Sequence, residues 1–197
     1  MSHTLRLHDF LPISHANGPG NRTVVWLQGC SLGCPGCFNQ DTHSVDGGDV
    51  VAVDDLFTRI TSLSDSIEGV TISGGEPLQQ FIPIVALLHR IKKETSLSVL
   101  VFSGFTWNEI QKMEIAHRNR HAENLLNSPL PYIDILIAGR YDPTKRVAHD
   151  LYGSANQTVH FLTDRYTLAD LACLPETEVV ISLDGDVIVS GIDPIEF

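Results

Sequence analysis

Three cysteines stand within eight residues of this chain, and they constrain it more than any other feature. Cys30, Cys34 and Cys37 have the spacing C-x3-C-x2-C. The glycines and the proline between them favour a tight loop that can turn three sulfur atoms towards one centre. Soft thiolate ligands select iron–sulfur clusters, zinc or copper(I). These thiols alone give three ligands, whereas a cubane cluster has four irons, so one iron would stay open to a small molecule.

Two other kinds of site can be built from cysteines. The triplet is odd in number and nothing in the chain indicates secretion, which argues against a disulfide framework. A zinc site of the three-cysteine, one-histidine type, with His43 as the fourth ligand, stays open. Zinc sites more often use paired C-x2-C elements, however.

Length and charge limit the remaining possibilities. A chain of 197 residues is long enough for one sizeable core, so residues 1–197 are expected to form one domain. The net charge of −11 argues against a general nucleic-acid binder and against adhesion to an anionic membrane surface. Neither a signal peptide nor an apolar membrane span is recognisable, so the expected location is the cytoplasm.

Segments of strand length alternate with segments of helical periodicity. The predicted strands are 23–28, 69–73, 97–102 and 132–137, and the predicted helical stretches are 53–63, 81–93 and 106–126. This alternation predicts an α/β fold with a mainly parallel sheet and right-handed crossovers. Because the cysteine loop follows directly on strand 23–28, the thiols would lie at the C-terminal end of a strand, where parallel α/β folds build their sites.

The two ends of the chain differ from this pattern. Residues 1–21 are interpreted as a lead-in that ends in a turn. Residues 159–162 are a further candidate strand. Near the C-terminus, the apolar runs 179–183 and 187–189 flank Asp184-Gly185-Asp186, which is a hairpin signal. We therefore expect an antiparallel appendage there.

A second motif, Ser73-Gly74-Gly75-Glu76-Pro77, follows the predicted strand 69–73. Paired glycines after a strand let the main chain approach a ligand closely, and the glutamate adds an acceptor for a cationic group. The motif is not a Walker loop, since no Gly-Lys-Ser/Thr follows it. By itself it is a weak signal, and its weight comes from its occurrence with the three cysteines.

Together these motifs resemble the radical S-adenosylmethionine (SAM) superfamily, and more narrowly the activating enzymes of anaerobic (class III) ribonucleotide reductases. The resemblance runs from about residue 5 to residue 162. The matching pieces are Asn17-Gly18-Pro19-Gly20, Gly29-Cys30, Cys34-Pro35-Gly36-Cys37-Phe38-Asn39, Ser73-Gly74-Gly75-Glu76-Pro77-Leu78, Ser103-Gly104-Phe105-Thr106, Asp134-Ile135-Leu136-Ile137 and Gly153-Ser154-Ala155-Asn156-Gln157.

The resemblance implies a fold and a set of roles. The fold would be an incomplete (βα) barrel of radical SAM type, with an activase-like core at 1–162 and a C-terminal extension with the hairpin at 163–197. Cys30, Cys34 and Cys37 would ligate a [4Fe–4S] cluster and be the catalytic residues. The residues implied to bind SAM are Gly74, Gly75, Glu76, Ser103, Phe38 and Asn39.

The resemblance also implies a reaction and partners. One electron would cleave SAM to methionine and a 5′-deoxyadenosyl radical, which would take a hydrogen atom from a glycine of a glycyl radical enzyme, the anaerobic ribonucleotide reductase. A flavodoxin or ferredoxin would supply the electron. Two alternatives stay open: a radical SAM enzyme with another protein, peptide or small-molecule target, and a zinc-binding interaction module without enzymatic activity.

Several single residues have a structural interpretation. Cys173 lies in an apolar setting and is expected to be a small buried core residue. Trp26 and Trp107 are expected to pack in the core. His43 is expected near the cysteine loop but not as a ligand. Arg22 and Arg140 could meet a carboxylate or an acid of a partner, but a solvated charge is the expectation for each.

Overall fold

A seven-stranded mixed sheet is the centre of the structure, a computed structural model that describes residues 3–120, 127–181, 184–185 and 187–192. The strand order is β3-β1-β2-β4-β5-β6-β9. Strands β2, β4, β5 and β6 run parallel to one another, whereas β1, β3 and β9 pair antiparallel. The strands of this sheet are β1 Thr4–Ser14, β2 Arg22–Leu27, β3 Asp49–Ala52, β4 Gly69–Gly74, β5 Ser98–Ser103, β6 Ile135–Ala138 and β9 Thr158–Phe161.

Two small antiparallel hairpins lie outside this sheet. They are β7 Arg146–His149 with β8 Tyr152–Ser154, and β10 Thr177–Ile181 with β11 Val187–Gly191. The α-helices are α1 Val53–Thr61, α2 Phe81–Glu94, α3 Trp107–Arg120 and α4 Leu168–Leu171. None of the helices in the described ranges is long and apolar enough to cross a membrane.

The predicted alternation of strands and helices is confirmed, with shifted boundaries. The prediction of a mainly parallel sheet is corrected to a mixed sheet, because the supposed lead-in contains β1, an 11-residue strand. That strand alternates only partly between apolar and polar residues, so it lacks a clear strand signal. The sheet of the described residues is open and does not close into a barrel. The end of the third helical stretch, residues 121–126, lies outside the described residues.

The two faces of the sheet are covered differently. Val99 and Val101 of β5 belong to the core beneath helices α1, α2 and α3. Leu100 points to the opposite face, where it packs with residues that follow β6, including Leu151 and Leu171. Because side chains alternate along a strand, the chain after β6 forms a second layer on the face that does not carry the three long helices.

Arg22 is fully buried at the start of β2, which corrects the expectation of a solvated charge. Its guanidinium donates to Thr71 Oγ1 at 2.7 Å, Ser98 Oγ at 2.9 Å, and the carbonyl oxygens of Pro19 at 3.1 Å and Val70 at 2.7 Å. Burial lowers the pKa of Arg22 to about 10, so the side chain is still charged at neutral pH. It joins the ends of three parallel strands from within the core.

The C-terminal hairpin predicted from the Asp-Gly signal is present as β10 and β11. Cys173, just before it, is exposed, so the prediction of a buried core residue is wrong. The reason is the short helix α4, which directs Leu171 into the layer around Leu100 and Leu151. Cys173, which follows the helix, is then exposed to solvent. A small apolar neighbourhood in the sequence does not reveal which side of so short a helix faces the protein.

Candidate functional site

A cavity of about 410 Å³ opens at the C-terminal ends of β2, β4, β5 and β6. All nine residues that the sequence assigns to a cluster or to SAM line this cavity. Residues from the C-terminal hairpin line it as well. The cavity therefore brings together the cysteine loop, the Gly-Gly-Glu loop and the end of β5, which are far apart along the chain.

The cysteine loop is held at both of its ends. The N–H groups of Gly29 and Cys30 donate to the carbonyl oxygens of Thr42, at 2.7 Å, and His43, at 3.1 Å. Within the loop, Cys37 N–H donates to the Cys34 carbonyl at 3.3 Å and closes a turn. Main-chain bonds of this kind fix where the loop starts and ends without using the thiols.

Gln28 anchors the segment that returns from the loop. Its buried amide nitrogen donates to the carbonyl oxygens of Asp41 at 3.1 Å and Ser44 at 2.8 Å, and its Oε1 contacts His8 Nδ1 at 2.8 Å. Sequence reasoning missed this residue, because a glutamine at a strand end has no distinctive signal.

The paired glycines bring the second motif against the first. Gly75 N–H donates to the Leu27 carbonyl at 2.7 Å, and Glu76 N–H donates to the Gly29 carbonyl at 2.9 Å. Gly74 has a positive φ of 100°, and a Cβ on Gly74 or Gly75 would collide with the main chain of Leu27 or Gly29. The glycines were predicted to allow close approach to a ligand. In the structure they allow close approach to the base of the cysteine loop.

Glu76 is fully buried, and its carboxylate faces hydrogen-bond donors of the protein. Oε1 accepts from Leu78 N–H and from Ser103 Oγ, each at 2.9 Å, and Oε2 accepts from Gly104 N–H at 2.7 Å. Burial raises the pKa of Glu76 to about 7, although these donors act in the opposite direction. The side chain therefore braces the site, and its proton affinity lies near neutral pH.

The three thiols line the same cavity. Burial raises the pKa of Cys30 and Cys37 above the ordinary thiol value. In the described ranges, no three histidine, cysteine or carboxylate side chains gather as a single metal ion would require. A four-iron cluster spreads its thiolates farther apart, and three soft donors on one cavity wall fit it.

Phe38, the residue that follows the third cysteine, is exposed but has an aromatic and a cationic neighbour. The ring centroids of Phe38 and Tyr141 are 4.8 Å apart, and the Arg146 guanidinium lies 5.0 Å from the centre of the Phe38 ring.

The two tryptophans lie in different places. Trp26, expected in the core, is half-buried and lines the cavity. Trp107 packs against the main core, as predicted, and stacks on His160 with ring centroids 4.3 Å apart.

Gln157 and Asn156, which the sequence marked without a role, tie the far side of the cavity together. Gln157 Oε1 accepts from the N–H of Gly153 at 2.9 Å, and its Nε2 donates to the Gly139 carbonyl at 3.0 Å. Asn156 Nδ2 donates to the Arg140 carbonyl at 2.8 Å. The amide side chains thereby fix β8 against the end of β6.

Arg140 is paired, which corrects the expectation of a solvated charge. Its guanidinium contacts both carboxylate oxygens of Glu109, at 2.7 and 3.0 Å, and this bond lowers the pKa of Glu109. Glu109 also accepts from Thr106 N–H at 2.8 Å, which confirms the predicted capping box at the start of α3. The ion pair joins α3 to the end of β6.

Comparison with known proteins agrees with the motifs. A profile of the family described as "4Fe-4S single cluster domain" matches residues 16–160, well over half of the chain. The anaerobic ribonucleoside-triphosphate reductase-activating protein of Salmonella typhi is 31% identical over 165 residues, which cover 80% of this chain and 99% of that protein.

Proteins with the same name from other sources are also similar. That of Escherichia coli K12 is 29% identical over 167 residues, covering 80% of this chain and 99% of its own. That of enterobacteria phage T4 is 29% identical over 160 residues, which cover 78% of this chain and 92% of the phage protein. Among solved structures, QueE from Escherichia coli superposes on 52% of this chain and 54% of its own, with a TM-score of 0.42 and 17% identity, which is too slight to decide the architecture.

The extent of these matches confirms the resemblance that the cysteine and Gly-Gly-Glu motifs predicted. The chain belongs to the 4Fe-4S single cluster domain family and to the family of the anaerobic ribonucleoside-triphosphate reductase-activating proteins.

Proposed function

We propose that this chain activates an anaerobic ribonucleotide reductase by reductive cleavage of SAM, with Cys30, Cys34 and Cys37 as the ligands of a [4Fe–4S] cluster. The observation that carries the proposal is the shared cavity, into which three thiols and the Gly-Gly-Glu loop open together. When bound, the cluster and SAM would supply the electron transfer and the 5′-deoxyadenosyl radical that removes a hydrogen atom from a glycine of the reductase.

The residues of the chain have three tasks in this proposal. The three thiols would hold the cluster, whose chemistry would act on SAM bound beside it. The main chain of Gly74 and Gly75 offers acceptors to the methionine ammonium, while the Glu76 carboxylate keeps that main chain in place. Ser103, Phe38 and Asn39 complete the proposed SAM surface. Because the Ser103 hydroxyl already donates to Glu76, only its acceptor capacity is available to SAM.

The proposal extends to the architecture and to the electron donor. We infer that residues 1–197 form one domain, in which 1–162 are an incomplete barrel of radical SAM type and 163–197 are an extension. A low-potential flavodoxin or ferredoxin is the proposed electron donor. A wall of apolar and aromatic side chains around the cavity would keep water from a reactive radical.

The test begins with anaerobic reconstitution with iron and sulfide. Dithionite and SAM are then added, and 5′-deoxyadenosine is measured by chromatography. Wild-type protein should produce it, and Cys34→Ala should not. Cys173→Ser is the matched control, since Cys173 is exposed and does not line the cavity, and it should behave as wild type. Unchanged 5′-deoxyadenosine from Cys34→Ala would refute the ligand assignment.

The target of the radical is tested separately. Addition of the reductase should give a glycyl radical signal in electron paramagnetic resonance. A reductase deuterated at glycine should transfer deuterium into 5′-deoxyadenosine. Metal analysis that finds one zinc per chain and no sulfide would instead support an interaction module without SAM chemistry.

A further inference from the structure

The C-terminal hairpin lines the cavity through strand β11. Five consecutive residues of this segment, 188–192, line the cavity. Side chains alternate between the two faces of a strand, so a strand that presented one face would contribute every second residue. An uninterrupted run indicates that the side of β11 that faces away from β10 borders the cavity.

The hairpin is fastened in this position by polar contacts, of which those of Asn17 are buried. Asn17 Nδ2 donates to Ser190 Oγ at 2.6 Å and to Ser14 Oγ at 2.8 Å. The Ser14 hydroxyl in turn donates to Glu178 Oε1, and His15 N–H donates to Glu178 Oε2 at 2.8 Å. Both strands of the hairpin are thus tied to the end of β1 and the turn that follows it. These bonds fix the position of β11 in the cavity wall.

The register shows which backbone groups reach that edge. Ile192 N–H donates to the Glu176 carbonyl at 2.9 Å, and Glu178 lies opposite Ser190 in the ladder. Hydrogen-bonded pairs alternate with non-bonded pairs in an antiparallel ladder. Ser190 and Ile188 therefore bond to β10, whereas Val189 points its N–H and C=O away from it. In the described part of the chain, β10 is the only strand that pairs with β11.

We propose that the free edge of β11 binds the glycine-containing segment of the partner reductase as an added, extended strand. This inference rests on the proposed function. The reacting glycine must enter the same cavity as the thiols, and β11 borders that cavity. Pairing through backbone groups suits a segment whose central residue has no side chain. The residues of the same segment that line the cavity include the apolar Ile188 and Ile192.

The first test uses a short synthetic peptide that covers the radical-bearing glycine of the reductase, with the reconstituted holoenzyme and SAM. Each peptide residue is replaced in turn by its N-methyl form, and the dissociation constant is measured by fluorescence anisotropy. Strand addition predicts that N-methylation weakens binding at every second residue, by about tenfold for each lost hydrogen bond. This test requires no variant of the enzyme. Binding without any alternation would overturn the proposal.

The second test removes the outward donor from the enzyme. Val189→Pro deletes an N–H that does not bond to β10, so the hairpin ladder stays complete. Val187→Pro is the matched control, because Val187 has the same orientation in the ladder but is not among the described residues that line the cavity. We expect Val189→Pro to bind the peptide about tenfold more weakly and Val187→Pro to bind as wild type. Equal affinities would contradict the proposal.

Two further measurements separate this inference from its alternatives. A dimer of the wild-type chain that dissociates in Val189→Pro, seen by sedimentation, would place a second copy at the edge and overturn the assignment to the reductase. Production of 5′-deoxyadenosine by the wild type without peptide is measured in parallel. If it is present while N-methylation shows no alternation, the edge proposal fails and the proposed function stands. If it is absent, the proposed function itself fails.

Discussion

The Ser103 hydroxyl donates a hydrogen bond to Glu76 Oε1 at 2.9 Å, and thereby joins the end of β5 to the loop after β4. Both groups are buried on the wall of the cavity. A carboxylate in such a place stabilises the fold through its donors and destabilises it when it must carry a charge without solvent. Its protonation state should therefore be visible in the stability of the protein.

We expect the stability of the cluster-free, reduced protein to decline by about 3 kcal/mol between pH 4.5 and 7 through Glu76 alone. Burial raises its pKa from 4.5 to about 7 in the folded protein, so the folded state binds more protons than the unfolded state in this range. The contribution of Glu76 to the free energy of unfolding is then fully present below pH 4.5 and is lost as the pH rises through about 7. Urea denaturation of wild type and Glu76→Gln across this range measures the difference.

The control for this comparison is Glu176→Gln, at an exposed position, which should keep the pH profile of the wild type. Glu76→Gln should have a flatter profile, because the amide does not titrate. Identical profiles for wild type and Glu76→Gln would show that the Glu76 carboxyl does not titrate with a raised pKa.

Gly75→Ala should prevent normal cluster loading. The added Cβ would collide with the main chain of Gly29, so the base of the cysteine loop would have to move. We expect iron and sulfide content after reconstitution to fall severalfold. Gly33→Ala is a strict control within the cysteine loop, because Gly33 has a positive φ of 63°, a strain that Gly75→Ala does not add, yet its Cβ would meet nothing within 4 Å. Equal iron content in the two variants would argue against a docking role for Gly75.

Arg22→Met should lower the free energy of unfolding by about 3 kcal/mol or more. The substitution leaves the buried acceptors Thr71 Oγ1 and the Val70 carbonyl without their donor. Urea denaturation measures the effect. Arg59→Met is the control, because Arg59 lies exposed over the ring of Phe10, and its loss should cost less than about 1 kcal/mol. A small effect at Arg22 would mean that water replaces the guanidinium.

Asn17→Ala should loosen the C-terminal hairpin, although the bonds of Glu178 to Ser14 and His15 remain. Removing its amide breaks the bonds to Ser14 and Ser190, so the amides of β10 and β11 should exchange with solvent faster, by about tenfold or more. Hydrogen–deuterium exchange with mass spectrometry resolves this segment. Asn21→Ala, in the same turn but bonded to the Ser66 carbonyl at 3.2 Å, should leave hairpin exchange unchanged. Equal protection in both variants would contradict the fastening role.

Most residues predicted for the candidate site stand in two short motifs, and the structure places them around one cavity. The three cysteines and the Gly-Gly-Glu loop carry their chemistry in spacing and residue type. Residues that support them, such as Gln28 and Gln157, could not be predicted in this way. Each bonds to main-chain groups that come from distant parts of the chain, and glutamine has no local signature for such a role.

The sequence by itself determined the donor set, the alternation of strands and helices and the C-terminal hairpin, since each depends on residues that are close neighbours in the chain. Only the tertiary structure decided that Arg22 is buried, that Cys173 is exposed, that residues 4–14 form an antiparallel strand of the sheet, and that the hairpin borders the cavity. The physical reason is that burial and strand pairing depend on contacts between segments far apart in sequence. A charged residue can stay inside when enough distant acceptors converge on it.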